Sequence, residues 1–258
     1  MVFACKERRV VVLLKNKSKG KFKRSERMSL IKLNGINKNY NTKLGEVTAL
    51  GDISFEIDRG EFVVVVGKEG SGKTTLLSLI GGMDKADSGE IKFGGKFIGD
   101  MTDSELVEYR RNEIGFAFEN ANLVEEMTAQ ENIELASSVC KNCFSAQKML
   151  STFGLDSKKD MPLKKLSDNE KRRVAIAMAL SKNPTILLLD EPLRDLGEKM
   201  SKQMLAILHS ACRATRMTVI ITTDNPLYAS AADRAITLDG GKLISAKQNK
   251  KAVEIEKL

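Results

Sequence analysis

Residues 63–82 read VVVVGKEGSGKTTLLSLIGG, a valine run that passes through a glycine-rich turn into an apolar helical pattern. The turn fits G-x-x-x-x-G-K-[ST], with Gly67, Gly72, Lys73 and Thr74 at the fixed positions. In this pattern backbone N–H groups cradle phosphates, the lysine reaches β/γ oxygens and the hydroxyl binds Mg²⁺. Glycine is required because a Cβ would block close approach of a phosphate and the positive-φ turns. The strand before the loop and the helix after it are the context that gives the motif its meaning. Gly67, Lys68, Glu69, Gly70, Ser71, Gly72, Lys73, Thr74 and Thr75 are therefore the candidate nucleotide-binding loop.

A continuous valine run fits a strand buried on both faces, as in a parallel sheet. Strand and helix patterns alternate over residues 31–244 with no repeat or low-complexity block, which indicates an α/β fold. LIKLNGINKNY and ISFEI read as short alternating strands ahead of the run, whereas residues 120–181 read as a helical insert. Buried strands return with TILLLD (185–190) and MTVIITT (217–223), and RAITLDGGKLISA closes the core as a hairpin-like pair.

ILLLDEP supplies a second phosphate-site element. Asp190 is placed to hold Mg²⁺, directly or through water, and Glu191 to orient an attacking water. The competing reading makes both acids caps of the turn before Pro192.

The chain has 258 residues, 42% apolar and 29% charged, ordinary for a globular domain with a substantial core. Its net charge of +8 lies entirely in residues 1–27, which hold ten Lys/Arg against two Asp/Glu, leaving 32 of each sign elsewhere. Residues 1–28 are thus a basic extension, expected to be disordered or, since Met28 opens the recognisable domain, untranslated. Such a tail can also bind an anionic surface. The five-residue apolar run 10–14 is far too short for a membrane span or a signal-peptide core. Four cysteines without a secretion signal indicate reduced thiols in a cytosol.

With these elements in order, the chain resembles the ATP-binding subunits of ABC transporters, in the branch serving lipoprotein-release, macrolide-efflux and cell-division permeases. The resemblance covers residues 29–246 and is carried by YNTKLGEVTALGDISFEIDRGEFVVVVGKEGSGKTTLLSLIGGMDKADSGEI, IGFAFENANLVEEMTAQENI and LLLDEP. It implies a P-loop NTPase core with an antiparallel β subdomain and a helical subdomain, followed by a polar tail over residues 247–258. The implied cofactors are ATP and Mg²⁺. The implied partners are an integral membrane permease subunit and a second ABC ATPase subunit, identical or different, with no nucleic acid; the implied location is cytoplasmic, peripheral on the inner face of the cell membrane. Tyr40 matches the aromatic that stacks on adenine, although a core tyrosine is the alternative. Residues 119–127 match the segment that meets the permease; Leu123, Val124 and Met127 suit a partner helix or lobe packing equally.

Several family positions depart from the pattern. The L-S-G-G-Q signature, which in a head-to-tail dimer faces the partner's ATP, reads Leu166, Ser167, Asp168, Asn169, Glu170. The Q-loop glutamine, a Mg²⁺ ligand, is Glu119; the switch histidine is Asp224; the Asp of the loop after LLLDEP is Gly197. Three elements that normally meet the γ-phosphate thus carry carboxylates. Two unit charges about 4 Å apart interact by about 4 kcal/mol at an effective dielectric of 20, so one such contact costs several hundredfold. Ser167-x-x-Glu170 is also a capping box, a common helix start that here closes an end otherwise open to phosphate.

Cys140 and Cys143 have the spacing of half a zinc site or a redox pair, but no second pair lies nearby. His209, the single histidine, falls in a helical pattern and reads as a satisfied residue. Two functions follow from the resemblance. One is an ATPase subunit that drives a permease with slow hydrolysis; the other is a catalytically impaired pseudo-ATPase, the inert half of a heterodimer or a regulatory scaffold. Deleting residues 1–27 is expected to leave ATP affinity unchanged in calorimetry, since they carry no core pattern.

Overall fold

A computed structural model describes residues 29–43, 45–118, 123–140, 142–250, 252–255 and 258. The basic extension and Glu119 lie outside the described residues. Two sheets organise the chain. β1 (Ser29–Thr42), β2 (Gly45–Asp58), β4 (Ser88–Phe93) and β5 (Lys96–Phe97) form an antiparallel sheet in the order β2-β1-β4-β5. β3 (Phe62–Val66), β6 (Ile114–Ala117), β7 (Ile186–Leu189), β8 (Thr218–Thr223), β9 (Arg234–Asp239) and β10 (Lys242–Gln248) form the larger one, ordered β10-β9-β3-β8-β7-β6. All pairs of the larger sheet are parallel except β9 with β10.

The valine run shows why this sheet is central. Phe62, Val64 and Val66 point into one core, together with Leu187, Leu189, Val219 and Ile221. Val63 and Val65 point into the other, with Ile186, Leu188 and Ile220. Both faces of the pleat are covered, so β3 needs no polar residue. The first core is roofed by α5 (Asp168–Ser181) and α6 (Glu198–Thr215), the second by α1 (Lys73–Ile80) and the antiparallel sheet. A buried pair, Glu61 with Arg234, fastens the start of β3 to β9 through bonds of 2.8 and 3.0 Å. Its forked geometry fixes their relative position.

Among the described residues, 123–181 contain helices α3 (Ala129–Ser137), α4 (Ala146–Thr152) and α5, and no strand beyond one isolated bridge. β10 does not stop at Ala246: Lys247 and Gln248 continue its pairing with β9, and the Asn249 amide donates to Ala229 O and Ala232 O at 2.9 and 2.8 Å. The polar character of residues 247–249 hid this, because an edge strand needs backbone partners and not apolar side chains.

Three helices start with the same reciprocal cap: Thr102 with Glu105 on α2 (Asp103–Asn112), Thr128 with Glu131 on α3, and Ser167 with Glu170 on α5. The backbone N–H and hydroxyl of Thr102 and of Thr128 hold the Glu105 and Glu131 carboxyls below the usual range. A lowered carboxyl stabilises the fold above its unfolded pKa, and that share is lost as pH falls through the folded value. Replacing both glutamates with glutamine keeps the caps and removes the titration. The wild type is therefore expected to be the more stable at pH 7, with the gap closing as pH falls through and below the usual carboxylate range, in urea unfolding across pH.

Candidate functional site

Every candidate residue on the large sheet sits at the C-terminal ends of parallel strands, where open α/β sheets place ligands. β3 ends at Val66, and the loop 67–72 turns into α1 with Gly72 as its N-cap at φ 94°. A Cβ on Gly72 would lie 2.4 Å from Ala49 O of β2; one on Gly67 would lie 2.2 Å from Ser71 Oγ and 2.6 Å from Leu238 O of β9. Both sheets therefore close on the loop, and only glycine fits. Ser71 Oγ is buried with no hydrogen-bond partner among the described residues. An unpaired buried hydroxyl is costly unless a ligand or water meets it.

Lys73 is 6% exposed. Its ammonium donates to Gly67 O at 2.6 Å and Lys68 O at 2.9 Å, and pairs with Glu191 Oε1 at 3.1 Å. Beside it, the Thr74 hydroxyl donates to Asp190 Oδ2 at 2.7 Å. The Thr222 hydroxyl donates to Asp190 Oδ1 at 2.7 Å and accepts from the Glu191 N–H at 2.8 Å. Asp190 is thus anchored by hydroxyls from α1 and β8. Glu191 has φ 47°, an uncommon conformation for a non-glycine residue that such anchoring sustains. Burial pushes its carboxyl above the usual range; Lys73 opposes this and Asp224 adds to it. The switch-position aspartate therefore lies within electrostatic reach of Glu191.

At the outer edge Tyr40 is 38% exposed, and its hydroxyl donates to Asp84 Oδ2 at 2.8 Å. Burial, then the Asp84 bond, raises the phenol; a bond with Thr75 acts the other way. Tyr40 is no core tyrosine.

A family model described as ABC transporter matches residues 50–194. The chain belongs to the ABC transporter family. It is 34% identical over 221 residues to the macrolide export ATP-binding/permease protein MacB of Salmonella choleraesuis, covering 84% of this chain and 34% of that protein. It is 34% identical over 214 residues to the lipoprotein-releasing system ATP-binding protein LolD of Porphyromonas gingivalis, covering 81% of this chain and 97% of that protein. The chain thus spans about a third of the macrolide export protein and nearly all of the lipoprotein-releasing one. Among solved structures, it matches a dimeric ATP-binding cassette, MJ0796, bound to ADP and Pi, with a TM-score of 0.79 and 31% identity over 86% of this chain and 99% of that one. The branch and fold read from the sequence are those of these relatives.

The signature position of this ABC chain is a closed helix start. Ser167 Oγ accepts from Glu170 N at 3.4 Å, while Ser167 N donates to Glu170 Oε2 at 2.9 Å. The Ser167 N–H and hydroxyl, aided by Lys158 and Arg173, hold Glu170 below the usual range against partial burial. Asp168 and Asn169 are exposed beside it. In residues 123–127, Leu123 packs on the core, whereas Val124 is exposed. A cavity of about 230 Å³ opens between the end of β6 and α5, lined by Phe116, Phe118, Ala136, Met178 and Lys182 among others.

Cys143 Sγ donates to Ser137 O and Cys140 O at 2.9 and 3.0 Å, and no cluster of three or more His, Cys, Asp or Glu able to hold a metal occurs among the described residues. His209 packs edge-on to Phe62 and lies 3.3 Å from Arg213 Nη2, away from the phosphate loop. Sequence reasoning missed Thr222 and Asp84. Thr222 is one of several β-branched residues in a buried strand and carries no signal of its own.

Lys73→Ala is expected to weaken ATP binding by about 2 kcal/mol or more, the scale of a lost charge-assisted contact. Calorimetry with the purified chain measures this.

Proposed function

We propose that the chain is the ATP-binding subunit of an ABC transporter, coupling ATP binding and slow hydrolysis to movement of an integral membrane permease. One observation carries the reading: a buried ammonium, two hydroxyls and two carboxylates from three separate segments converge beside a loop that a single Cβ would block. The unpaired Ser71 hydroxyl and the glycine cradle fit a phosphate chain. Thr74 and Asp190 are hard oxygen donors of the kind Mg²⁺ takes together with phosphate oxygens. Bound Mg²⁺ supplies positive charge at the β/γ-phosphates. Glu119 joins this set in our reading, although it lies outside the described residues.

In this reading Lys73 exchanges its loop carbonyls for β/γ oxygens, and Gly67, Lys68, Glu69, Gly70, Ser71, Gly72 and Thr75 surround the phosphates. Tyr40 stacks on the base. Glu191, released from Lys73, orients the attacking water; burial raises its carboxyl and so makes it a stronger proton acceptor than an exposed carboxylate. The lipoprotein-releasing and macrolide export names of the relatives support a permease partner, and the dimeric cassette supports a second ATPase subunit. Among the described residues no helix is long and apolar enough to cross a membrane. That fits a subunit held peripherally on the inner face by its permease, with the exposed Val124 of residues 119–127 available to a helix of that partner.

Slow turnover follows from two features. Asp168 and the Glu170 carboxylate put two negative charges at the helix end that would otherwise meet a partner's γ-phosphate. Asp224 adds negative charge beside Glu191. The inert-scaffold alternative finds no support among the named relatives.

Asp168→Gly, Asn169→Gly and Glu170→Gln together remove two charges, and the two glycines let backbone approach phosphate while glutamine keeps the bond to the Ser167 N–H. ATP-dependent dimers are expected in this triple variant with Glu191→Gln, read by light scattering. Adding Asp224→His with Glu191 restored is expected to raise phosphate release further. The two glycines should lower the stability of α5 in thermal unfolding. Tight ATP dimers and brisk turnover in the unmodified chain would show that the acidic signature is no barrier.

A further inference from the structure

The densest charge-assisted cluster outside the phosphate site ties β1 to the turn that follows α1. The Asp84 carboxylate accepts from the Tyr40 hydroxyl at 2.8 Å, from Lys38 Nζ at 3.0 Å and from Lys85 N at 2.7 Å. Lys38 is 9% exposed; it also donates to Lys85 O at 2.8 Å and stands 3.5 Å from Asp87 Oδ1. Asp87 returns the tie, accepting from Asn39 N at 2.6 Å and donating its own N–H to Asn37 O at 2.9 Å.

The Lys38 and Asp87 bonds already join strand to turn without help from Tyr40. The phenol bond to Asp84 is therefore surplus to that tie, and its effect falls on the ring. A partly exposed tyrosine on a strand otherwise turns among rotamers, and a ligand that stacks on it must freeze that motion at the moment of binding. Here the hydroxyl is fixed by a charge-assisted bond to a carboxylate that a buried ammonium holds still. Lys38 Nζ also lies 5.1 Å from the ring centroid. The turn that supplies Asp84 follows α1, the helix that the phosphate loop opens. The ring is thus set at a fixed offset from the phosphates.

We propose that Asp84, immobilised by Lys38, is a positioning residue that locks the Tyr40 ring as a platform for the base of a bound nucleotide. The inference rests on the reading of Tyr40 as the base-stacking residue. It acts on the base alone, so a ligand with phosphates and no base does not feel it.

The test titrates ATP and inorganic tripolyphosphate, each with Mg²⁺, into the full chain and variants by calorimetry. Asp84→Ala and Tyr40→Phe are each expected to weaken ATP about fivefold and to leave tripolyphosphate within about twofold. The double variant is expected to be no weaker than either single, since both break one bond. Asp84→Asn keeps an acceptor for the phenol and is expected to stay within about twofold of wild type for ATP. An equal loss for tripolyphosphate would make Asp84 a structural tie and overturn the proposal. ATP affinity unchanged in both Asp84→Ala and Tyr40→Phe, alongside a loss in Tyr40→Ala, would overturn it while leaving Tyr40 as the platform. No effect of Tyr40→Ala would overturn the platform reading and this proposal with it. If Asp84→Ala does not fold, Tyr40→Phe against Tyr40→Ala carries the same comparison.

Discussion

Burial of the parallel sheet on both faces is the constraint on which the rest depends. Val63 to Val66 are enclosed on either side, so neither face of β3 has room for a polar group or a ligand. Polar chemistry can emerge only where strands end. At one edge, β3, β7 and β8 deliver Gly67, Asp190 and Asp224 within a few residues of their last hydrogen bonds. The antiparallel sheet and β9 then close the loop from outside, through Ala49 and Leu238. Site and core are one packing solution: shifting β3 by one residue would reverse its inward side chains and move the loop as well.

Much of this was legible because the strongest signals were long or chemically narrow. The valine run, ILLLD and VIITT needed no alternation, since apolar residues were required on both faces. Gly72 was legible because its φ of 94° and the nearby Ala49 carbonyl leave glycine as the residue that fits. β6 escaped notice because IGFA is four residues long and follows a helix directly. β10 was read two residues short because its outer half is held by backbone pairing. Asp84 was invisible for a different reason: its partners, Lys38 and Tyr40, are more than forty residues away, and only the fold brings them together.

The three capping boxes temper the reading of the signature. Thr102 and Thr128 use the same motif where no phosphate is expected, so the box at Ser167 is an ordinary way to begin a helix. What sets it apart is location. In the proposed reading this helix end faces a second subunit, and the Glu170 carboxylate, held by the Ser167 N–H, sets a negative charge there.

The contacts of Lys73 alter what an affinity means for this protein. Its ammonium is satisfied within the chain by two carbonyls and a carboxylate. Nucleotide capture is consequently a swap of one set of ionic bonds for another, and the heat evolved records only the difference between them. A small binding enthalpy would then reflect a well-occupied starting state, and a stronger grip on ATP could be obtained by loosening Lys73 from its own loop as readily as by adding a contact to the ligand.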